Sequence, residues 1–270
     1  MIVSVNWLKK FVKINLSIEE LATQIGSKLV EVEGVTDLGQ KYRDVLIVKV
    51  IKCAKHADSD HLSVTYIDDG GVTGDVWRGA DGLIQVVCGA PNIRAGLTVA
   101  WLPPESIVPE TANDVEPFRL SVRKLRGVLS HGMIASPREL DLWDEHSGIL
   151  EIDDDFSAGA RFAQSCELDD YLLEIENKSL THRPDCFGMI GFAREVAGIL
   201  GQKFNSPQWF NHQLKFKPQA SEIAVAIDDS KLSTKFQASL VTNVREANGL
   251  SFLQKTYLAR VGVRPVEPIV

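Results

Sequence analysis

A series of short strand-like runs separated by turns is the feature that most limits how this chain can fold. Five such runs, rich in β-branched and other apolar residues, lie between about residues 40 and 151: 45–51, 62–67, 83–87, 97–102 and 118–122. Turn-rich stretches such as 68–71 and 89–92 separate them, as is typical of antiparallel strands. Five or six short strands in about 110 residues suit a small closed barrel.

The segments on either side of the predicted barrel have a mixed pattern. Ser17 and Glu20 have the spacing of a capping box in front of an amphipathic helix over 21–28, and valines alternate over 30–35 like a strand. This opening unit of about 38 residues is too short to bury a core alone, so it needs a partner from elsewhere. After the barrel, 171–177 reads as a strand, and Asp185 is expected to cap a helix over 186–200.

A polar, proline-containing linker over 202–220 marks the next boundary. Beyond it the sequence predicts two strands, 223–227 and 238–244, and a helix over 250–261. The last residues, 268–270, form an apolar run, and we expect them to mark a truncation within a longer protein.

Composition and charge narrow the functional class. The chain has 44% hydrophobic and 24% charged residues, as an ordinary soluble globular chain of two or three domains would. Its net charge of −7 argues against a nucleic-acid binder that ignores sequence, because such proteins carry a basic excess. No apolar run predicts a membrane span or a signal peptide. The four scattered cysteines suggest reduced thiols of a cytoplasmic protein and no zinc site.

One basic segment stands out within the acidic barrel region. Residues 40–150 contain 12 Lys plus Arg against 15 Asp plus Glu, yet 117–138 contains no acidic residue. Its basic side chains are the predicted RNA-binding residues: Arg119, Arg123, Lys124, Arg126 and Arg138, with His131 nearby. Phosphates respond to local potential, so this segment is a candidate RNA contact. The alternative is a solvated strand. Because aromatic residues are scarce, we expect contact with the RNA backbone and not with single-stranded bases.

Three other patterns have simpler explanations than a chemical site. The residues His56, Asp58, Asp60 and His61 could bind a metal, but turn formation accounts for them more simply, so we predict none. The stretch 89–92 lacks the full glycine pattern and the lysine of a phosphate loop, so it is expected to be a turn, with Cys88 buried before it. The charged residues Arg183, Asp185, Arg194 and Glu195 are expected to fix a helix against a strand.

Four groups of motifs occur in the order found in one enzyme family. They are 6–12 (NWLKKFV) with 30–35 (VEVEGV); 87–92 (VCGAPN), 124–128 (KLRGV) and 130–136 (SHGMIAS); 182–186 (HRPDC) with 191–197 (GFAREVA); and 258–265 (LARVGVRP). Together they resemble the N-terminal part of bacterial phenylalanyl-tRNA synthetase β subunits. The chain departs from the family pattern at 56–62, within the barrel region, and at 266–270, where the departure affects the expected editing-site geometry.

The resemblance implies an α+β, β-rich fold. Residues 1–39 with 152–200 would form a discontinuous αβ domain, 40–151 an inserted tRNA-binding OB-fold barrel, and 205–270 the start of an α/β editing domain. The parent enzyme would join phenylalanine to tRNA(Phe) using ATP and Mg²⁺, as two α and two β subunits in the cytoplasm. Its aminoacylation site would lie in the α subunit, so this part alone would bind no cofactor and be inactive. Arg264 matches an arginine of the editing pocket, although it could equally stabilise a helix C-terminus.

Two other functions remain open at this point. A stand-alone tRNA-binding OB-fold protein would account for 40–150, but not for the motifs at 6–12 and 183–197. A purely structural assembly arm without RNA contact is consistent with the acidic sum of the barrel region.

Overall fold

The computed structural model describes residues 1–152, 156–208, 224–238 and 249–266. The elements, in chain order, are β1 (Ile2–Ser4), α1 (Val5–Lys9), α2 (Ile18–Lys28), β2 (Val32–Asp37), α3 (Leu38–Lys41), β3 (Leu46–Lys55), β4 (Ser63–Asp68), β5 (Ile84–Cys88), β6 (Thr98–Leu102), β7 (Arg123–Leu125), β8 (Val128–Ser130), β9 (Met133–Ile134), α4 (Phe162–Ser165), β10 (Tyr171–Ile175), α5 (Met189–Ile199) and α6 (Phe252–Arg260). The fold is α+β and β-rich, as predicted.

Five antiparallel strands form a nearly closed barrel in the order β5-β4-β3-β6-β9. The long strand β3 pairs with β6 along its first half and with β4 along its second half. A register shift between Val50 and Lys52 marks a β-bulge there, which bends the strand between its two partners. Fully buried side chains such as Ile84 and Trp101 fill the interior, and the indole N–H of Trp101 donates to the carbonyl of His131 at 3.1 Å.

The barrel approaches closure between its edge strands β5 and β9. The backbone N–H of His131 donates to the Gln85 carbonyl at 3.0 Å. The N–H of Val87 donates to the Ser130 hydroxyl, also at 3.0 Å. These bonds place the end of β8 along the open edge of β5, so that little of this edge is left unpaired.

Four of the five predicted barrel strands are present, and the fifth is wrong. Residues 118–122 form no strand: Arg119 makes an isolated bridge to Ile107, and Leu120 exchanges backbone hydrogen bonds with residues 105 and 106. Of this run, Leu120 alone is buried, so the segment packs across one end of the barrel through a single side chain. The position in the sheet is taken by β9, whose two residues are too few to give a strand pattern.

A three-stranded antiparallel sheet, in the order β1-β10-β2, combines segments from before and after the barrel. The central strand β10 comes after the barrel in sequence, and both outer strands come before it. The opening segment therefore obtains the partner that its length requires. The predicted capping box of α2 is confirmed: Glu20 N–H donates to the Ser17 hydroxyl, and Ser17 N–H donates to the Glu20 carboxylate. Helices α1, α2 and α5 contribute to one apolar core with β1 and β10, including Leu8, Ile25, Leu173 and Phe192.

The predicted capping of the helix over 186–200 by Asp185 is wrong. Residues Pro184–Phe187 form a 3₁₀ turn, and α5 begins only at Met189, with Gly188 as its N-cap and no side-chain cap. The Asp185 carboxylate is instead bound by the guanidinium of Arg183, with N–O distances of 3.0 and 2.9 Å. A carboxylate held in this bidentate pair is not available to the helix N-terminus.

The C-terminal helix α6 confirms the helix predicted over 250–261. Its first residue, Phe252, packs with Phe162 and belongs to a core that also contains Leu38, Tyr42 and Leu172. This core therefore joins the barrel, the connecting segments and α6. The predicted strand at 223–227 is wrong for residues 224–227, which have no regular structure. Residues 239–244 of the other predicted strand lie outside the described residues.

Two glycines of α5 provide a matched test of this packing. A Cβ atom on Gly191 would lie 1.8 Å from the Asp185 carbonyl oxygen, whereas one on Gly198 would meet nothing within 4 Å. We predict that Gly191→Ala lowers the free energy of unfolding by about 1–3 kcal/mol, because the clash forces the 3₁₀ turn away from the helix. Gly198→Ala should raise it by up to about 1 kcal/mol through helix propensity. Denaturant unfolding of both variants measures this, and equal effects of the two would contradict the described contact.

Candidate nucleic-acid interface

The predicted basic segment forms a β-hairpin on the outside of the barrel. Strands β7 and β8 pair in the register Arg123↔Ser130, Lys124↔Leu129 and Leu125↔Val128. Arg126 and Gly127 form the turn with φ angles of 44° and 91°. Positive φ at both central residues is the geometry of a type I′ turn, which matches the twist of a two-stranded hairpin. The sequence therefore places a cationic side chain at the tip of the hairpin.

His56 fixes this hairpin to the barrel. Its Nδ1 accepts a hydrogen bond from the Asp58 N–H at 3.0 Å, so its Nε2 carries the proton that faces the Leu125 carbonyl at 3.3 Å. Arg126 donates to the Asp58 carbonyl at 3.0 Å. The hairpin is thus attached at its tip to the turn after β3 and at its base to β5.

Arg123, Lys124 and Arg126 are exposed, and none of them forms an ion pair within the described ranges. The Arg123 guanidinium lies over the Phe118 ring at 5.4 Å from its centroid, which orients the cation without neutralising it. Unpaired cations on a rigid hairpin form a local positive surface even though the chain is acidic in sum.

The two faces of the hairpin have different surroundings. Arg123 and Leu125 line a groove of about 560 Å³, which is also lined by Gly89, Ala90 and Pro91. Strand alternation places Lys124 and its partner Leu129 on the other face. A ligand on this hairpin can therefore meet cations on two sides and at the tip.

Arg138 and Arg119, also predicted to bind RNA, lie in other surroundings. Arg138 reaches the same groove, but its guanidinium pairs with Glu110 at 2.9 Å and with Asp144 at 3.9 Å. These acidic residues lie outside the acid-free segment 117–138. The segment alone therefore suggested more positive charge at Arg138 than the structure leaves there. Arg119 donates to the Glu105 carbonyl at 2.5 Å and lines a separate cleft of about 780 Å³ with Arg43 and Arg161.

Arg264 follows α6 in a stretch without regular structure and is exposed. Within the described residues it forms no hydrogen bond or ion pair, and residues 267–270 are outside them. The cation in the last turn of α6 is Arg260, so Arg264 does not have the helix-stabilising position considered for it. Its part in an editing pocket stays a prediction.

The charged cluster near α5 joins three of its four predicted members. Arg183 binds Asp185 and also Glu195, the latter at 2.6 Å. Arg194 lies instead over the ring of Phe204, at 5.4 Å from its centroid. The pairs of Arg183 tie the 3₁₀ turn to the middle of α5.

The candidate metal ligands, the turn at 89–92 and Cys88 were the other patterns considered in the sequence. Within the described parts of the chain, no cluster of His, Cys, Asp and Glu could hold a metal ion, and no helix is long and apolar enough to cross a membrane. In the turn at 89–92, the Asn92 side chain donates to the Ile149 carbonyl at 3.0 Å and accepts from its N–H at 2.9 Å. Cys88 is buried as predicted, and burial raises the pKa of its thiol.

The loop between β4 and β5 holds an arrangement that the sequence patterns did not reveal. The fully buried carboxylate of Asp69 binds both terminal nitrogens of Arg78, at 2.6 and 2.8 Å. It also accepts from the N–H groups of Gly71 and Thr73, each at 3.0 Å. Beside this ion pair, the indole of Trp77 stacks on the imidazole of His131, with ring centroids 5.5 Å apart and planes inclined by 19°. Ring contacts between residues this far apart in sequence leave no periodic signal.

Burial raises the pKa of Asp69, but hydrogen bonds from Arg78, Thr73 and Gly71 outweigh it and lower the pKa from 3.8 to about 2. A depressed carboxylate pKa stabilises the fold fully above the unfolded pKa, and this contribution is lost as the pH falls through about 2. We predict that Asp69→Asn lowers the free energy of unfolding by about 2 kcal/mol at neutral pH.

The difference between wild type and Asp69→Asn should shrink as the pH falls from about 4 to about 2. Denaturant unfolding at a series of pH values measures it, with Asp75→Asn as a control because Asp75 is an exposed carboxylate of the same loop. A difference that stays constant over this pH range would contradict the described ion pair.

Known proteins are similar to this chain at two levels, the barrel region and nearly the whole chain. A family profile described as "Putative tRNA binding domain" matches residues 45–161. Proteins named phenylalanine–tRNA ligase β subunit match nearly all of the chain: one from Desulfotalea psychrophila is 33% identical over 269 residues, and one from Rhodopseudomonas palustris is 35% identical over 274. A third, from Mesorhizobium japonicum, is 36% identical over 269 residues. Each match covers 99% of this chain and 30–31% of the relative, so the chain spans about a third of their length.

Proposed function

This chain is homologous along almost its whole length to the N-terminal part of phenylalanine–tRNA ligase β subunits, and on that premise we propose that it supplies a tRNA-binding surface to such a ligase. The tRNA contact lies on the hairpin formed by β7 and β8. The single observation that carries this proposal is that Arg123, Lys124 and Arg126 are exposed and unpaired on a fixed hairpin within the residues that match the tRNA-binding profile.

Electrostatics favour this surface over the rest of the barrel. Most other basic side chains of the barrel region have acidic partners close by, as in the pairs Lys52–Asp81, Arg78–Asp69 and Arg94–Glu151. A paired cation has little net attraction for a phosphate, because its partner repels the same phosphate. The hairpin therefore offers the phosphate backbone three neighbouring cations whose charge no carboxylate of the described residues cancels.

We infer that the barrel is an OB-type domain inserted into a discontinuous domain. The five-stranded order, the bulged long strand and the tRNA-binding match support the OB assignment. The shared sheet of β1, β2 and β10 supports grouping residues 1–39 with 152–200 around the insertion at 40–151. The core that contains Phe252 indicates that the inserted barrel and the rest of the chain share apolar packing.

In this proposal, the parent enzyme attaches phenylalanine to tRNA(Phe) using ATP and Mg²⁺. It works in the cytoplasm and consists of two α and two β subunits. Aminoacylation belongs to the α subunit, and this part of the β subunit alone is inactive. Residues 205–270 belong to the start of an editing domain, in which Arg264 positions the substrate. Removal of tyrosine by a second site has a physical reason, since a hydrophobic pocket rejects an added hydroxyl poorly.

Charge reversal on the hairpin tests the RNA contact. We predict that replacing Arg123, Lys124 and Arg126 together by Glu weakens tRNA binding by the full chain at least about tenfold near 0.1 M salt. The slope of log Kobs against log salt concentration should fall by about 3, one for each phosphate contact that is lost. Binding titrations at four or more salt concentrations measure both quantities, and different tRNAs should be affected alike.

A matched control separates this contact from the effect of net charge. Lys9, Lys13 and Lys203 are exposed, lie outside the barrel and form no ion pair with described residues, so their joint replacement by Glu changes the net charge equally. This variant should retain most of the affinity and the original salt slope. If both triple variants lose affinity equally, or neither does, the contact does not lie on the hairpin, and a structural assembly role is favoured.

A further inference from the structure

The indole of Trp77 is held in place yet half exposed. Its residue is 55% exposed, although one ring face lies on the buried imidazole of His131. The backbone of His131 is fixed, because its N–H donates to the Gln85 carbonyl and its carbonyl accepts from the Trp101 indole, and its imidazole is held by burial. Burial lowers the pKa of His131, which favours the uncharged imidazole beneath the indole. Trp77 therefore presents a flat apolar face to solvent on a rigid support.

The loop that carries Trp77 is fixed by Arg78, the residue that follows Trp77. Arg78 binds the buried Asp69 through two nitrogens, and it also donates to the Thr73 carbonyl at 2.7 Å and to the Gly82 carbonyl at 3.3 Å. These four bonds join both ends and the middle of the loop. A side chain ordered before binding loses little conformational freedom on contact with a ligand.

The platform lies beside the basic hairpin. His131 directly follows β8, and strand alternation places it on the same face as Leu129 and Lys124. The tip at Arg126 is four residues further along the hairpin, about 13 Å away at about 3.3 Å per residue. Both features fall within the site size of about 4–16 nucleotides that a single OB-type barrel uses.

We propose that Trp77 is a stacking platform for one unpaired nucleobase of an RNA whose phosphates contact the β7–β8 hairpin. This inference deepens the proposed function and rests on it. It assigns a role to the loop between β4 and β5 and adds single-strand recognition to a surface that the sequence predicted to contact only the backbone. A π face accepts any base, so the platform selects unpaired over paired nucleotides and not one sequence over another.

The adjacent cations favour RNA over an apolar protein segment as the occupant. Lys124 lies on the same side of the hairpin as the stacked rings, and no carboxylate of the described residues pairs with it. An aromatic face beside an unpaired cation is the combination that single-stranded nucleic acids require, since bases stack while phosphates are neutralised.

Two RNA probes of equal length separate stacking from backbone contact: an unstructured oligouridine and a perfect duplex. With the full chain, Trp77→Ala should weaken binding of the single strand about 5- to 100-fold and leave duplex binding and both salt slopes unchanged. Trp77→Phe should restore much of the single-strand affinity, whereas Trp77→Leu, which keeps bulk over His131 without a π face, should not. Val72→Ala, in the same loop and 57% exposed at the parent residue, should bind both probes like wild type.

The outcomes distinguish failure of the platform from failure of the RNA-binding proposal. If wild type binds both probes and the Trp77 variants bind them equally well, the platform is overturned while the hairpin contact stands; Trp77 would then be available to a protein partner. If wild type binds neither probe nor tRNA, both proposals are overturned. If Trp77→Leu binds the single strand as Trp77→Phe does, bulk and not stacking is responsible, and the platform is again overturned.

Discussion

The buried ion pair between Asp170 and Arg260 holds together the three segments on which the arrangement of the chain depends. Their side chains are almost completely buried, with an N–O distance of 3.2 Å. Asp170 also accepts hydrogen bonds from the Ser4 hydroxyl and the Asn6 N–H, and Arg260 donates to the Glu167 carbonyl at 2.6 Å. The start of the chain, the segment that leaves the barrel and the last described helix therefore meet at one pair of charges. Loss of either partner would leave a buried charge, at a cost of about 3–5 kcal/mol.

This junction fixes the position of the barrel against the rest of the chain. The segment leaving the barrel is fixed by Asp170 and by the apolar contacts of Phe162, Phe252 and Tyr42. The barrel is consequently packed against the rest of the chain through a shared apolar core. On the barrel, the basic hairpin is attached through His56 and Ser130, and the loop of Trp77 through Asp69. Each candidate RNA-contacting side chain thus reaches solvent from a backbone segment that is hydrogen-bonded to the barrel. Because these segments are ordered before binding, little conformational entropy is lost when RNA binds.

Local signals in the sequence predicted local structure well. The capping box at Ser17, the apolar runs of β3 to β6 and the basic run of the hairpin could all be read from neighbouring residues, because their cause lies within a few positions. Features that depend on distant partners could not. Arg138 looked like Arg123 within its window, yet Glu110 neutralises it from outside. Asp185 looked like a helix cap until Arg183 bound it, and the stack of Trp77 on His131 and the pairing of Asp170 with Arg260 join residues that only the fold brings together.

The central claim is that tRNA lies against the β7–β8 hairpin, and site-specific photo-crosslinking tests it most directly. A photoreactive phenylalanine analogue would replace Leu129 on the hairpin or, as a matched control, Val35 on β2; both residues are 46% exposed. Irradiation of each full-chain variant with labelled tRNA, followed by separation under denaturing conditions, gives the crosslinked fraction. A tRNA placed against the hairpin should give a strong crosslink from position 129 and a background level from position 35, and the experiment tests this placement. Equal crosslinking at the two positions, or crosslinking at position 35 alone, would contradict it.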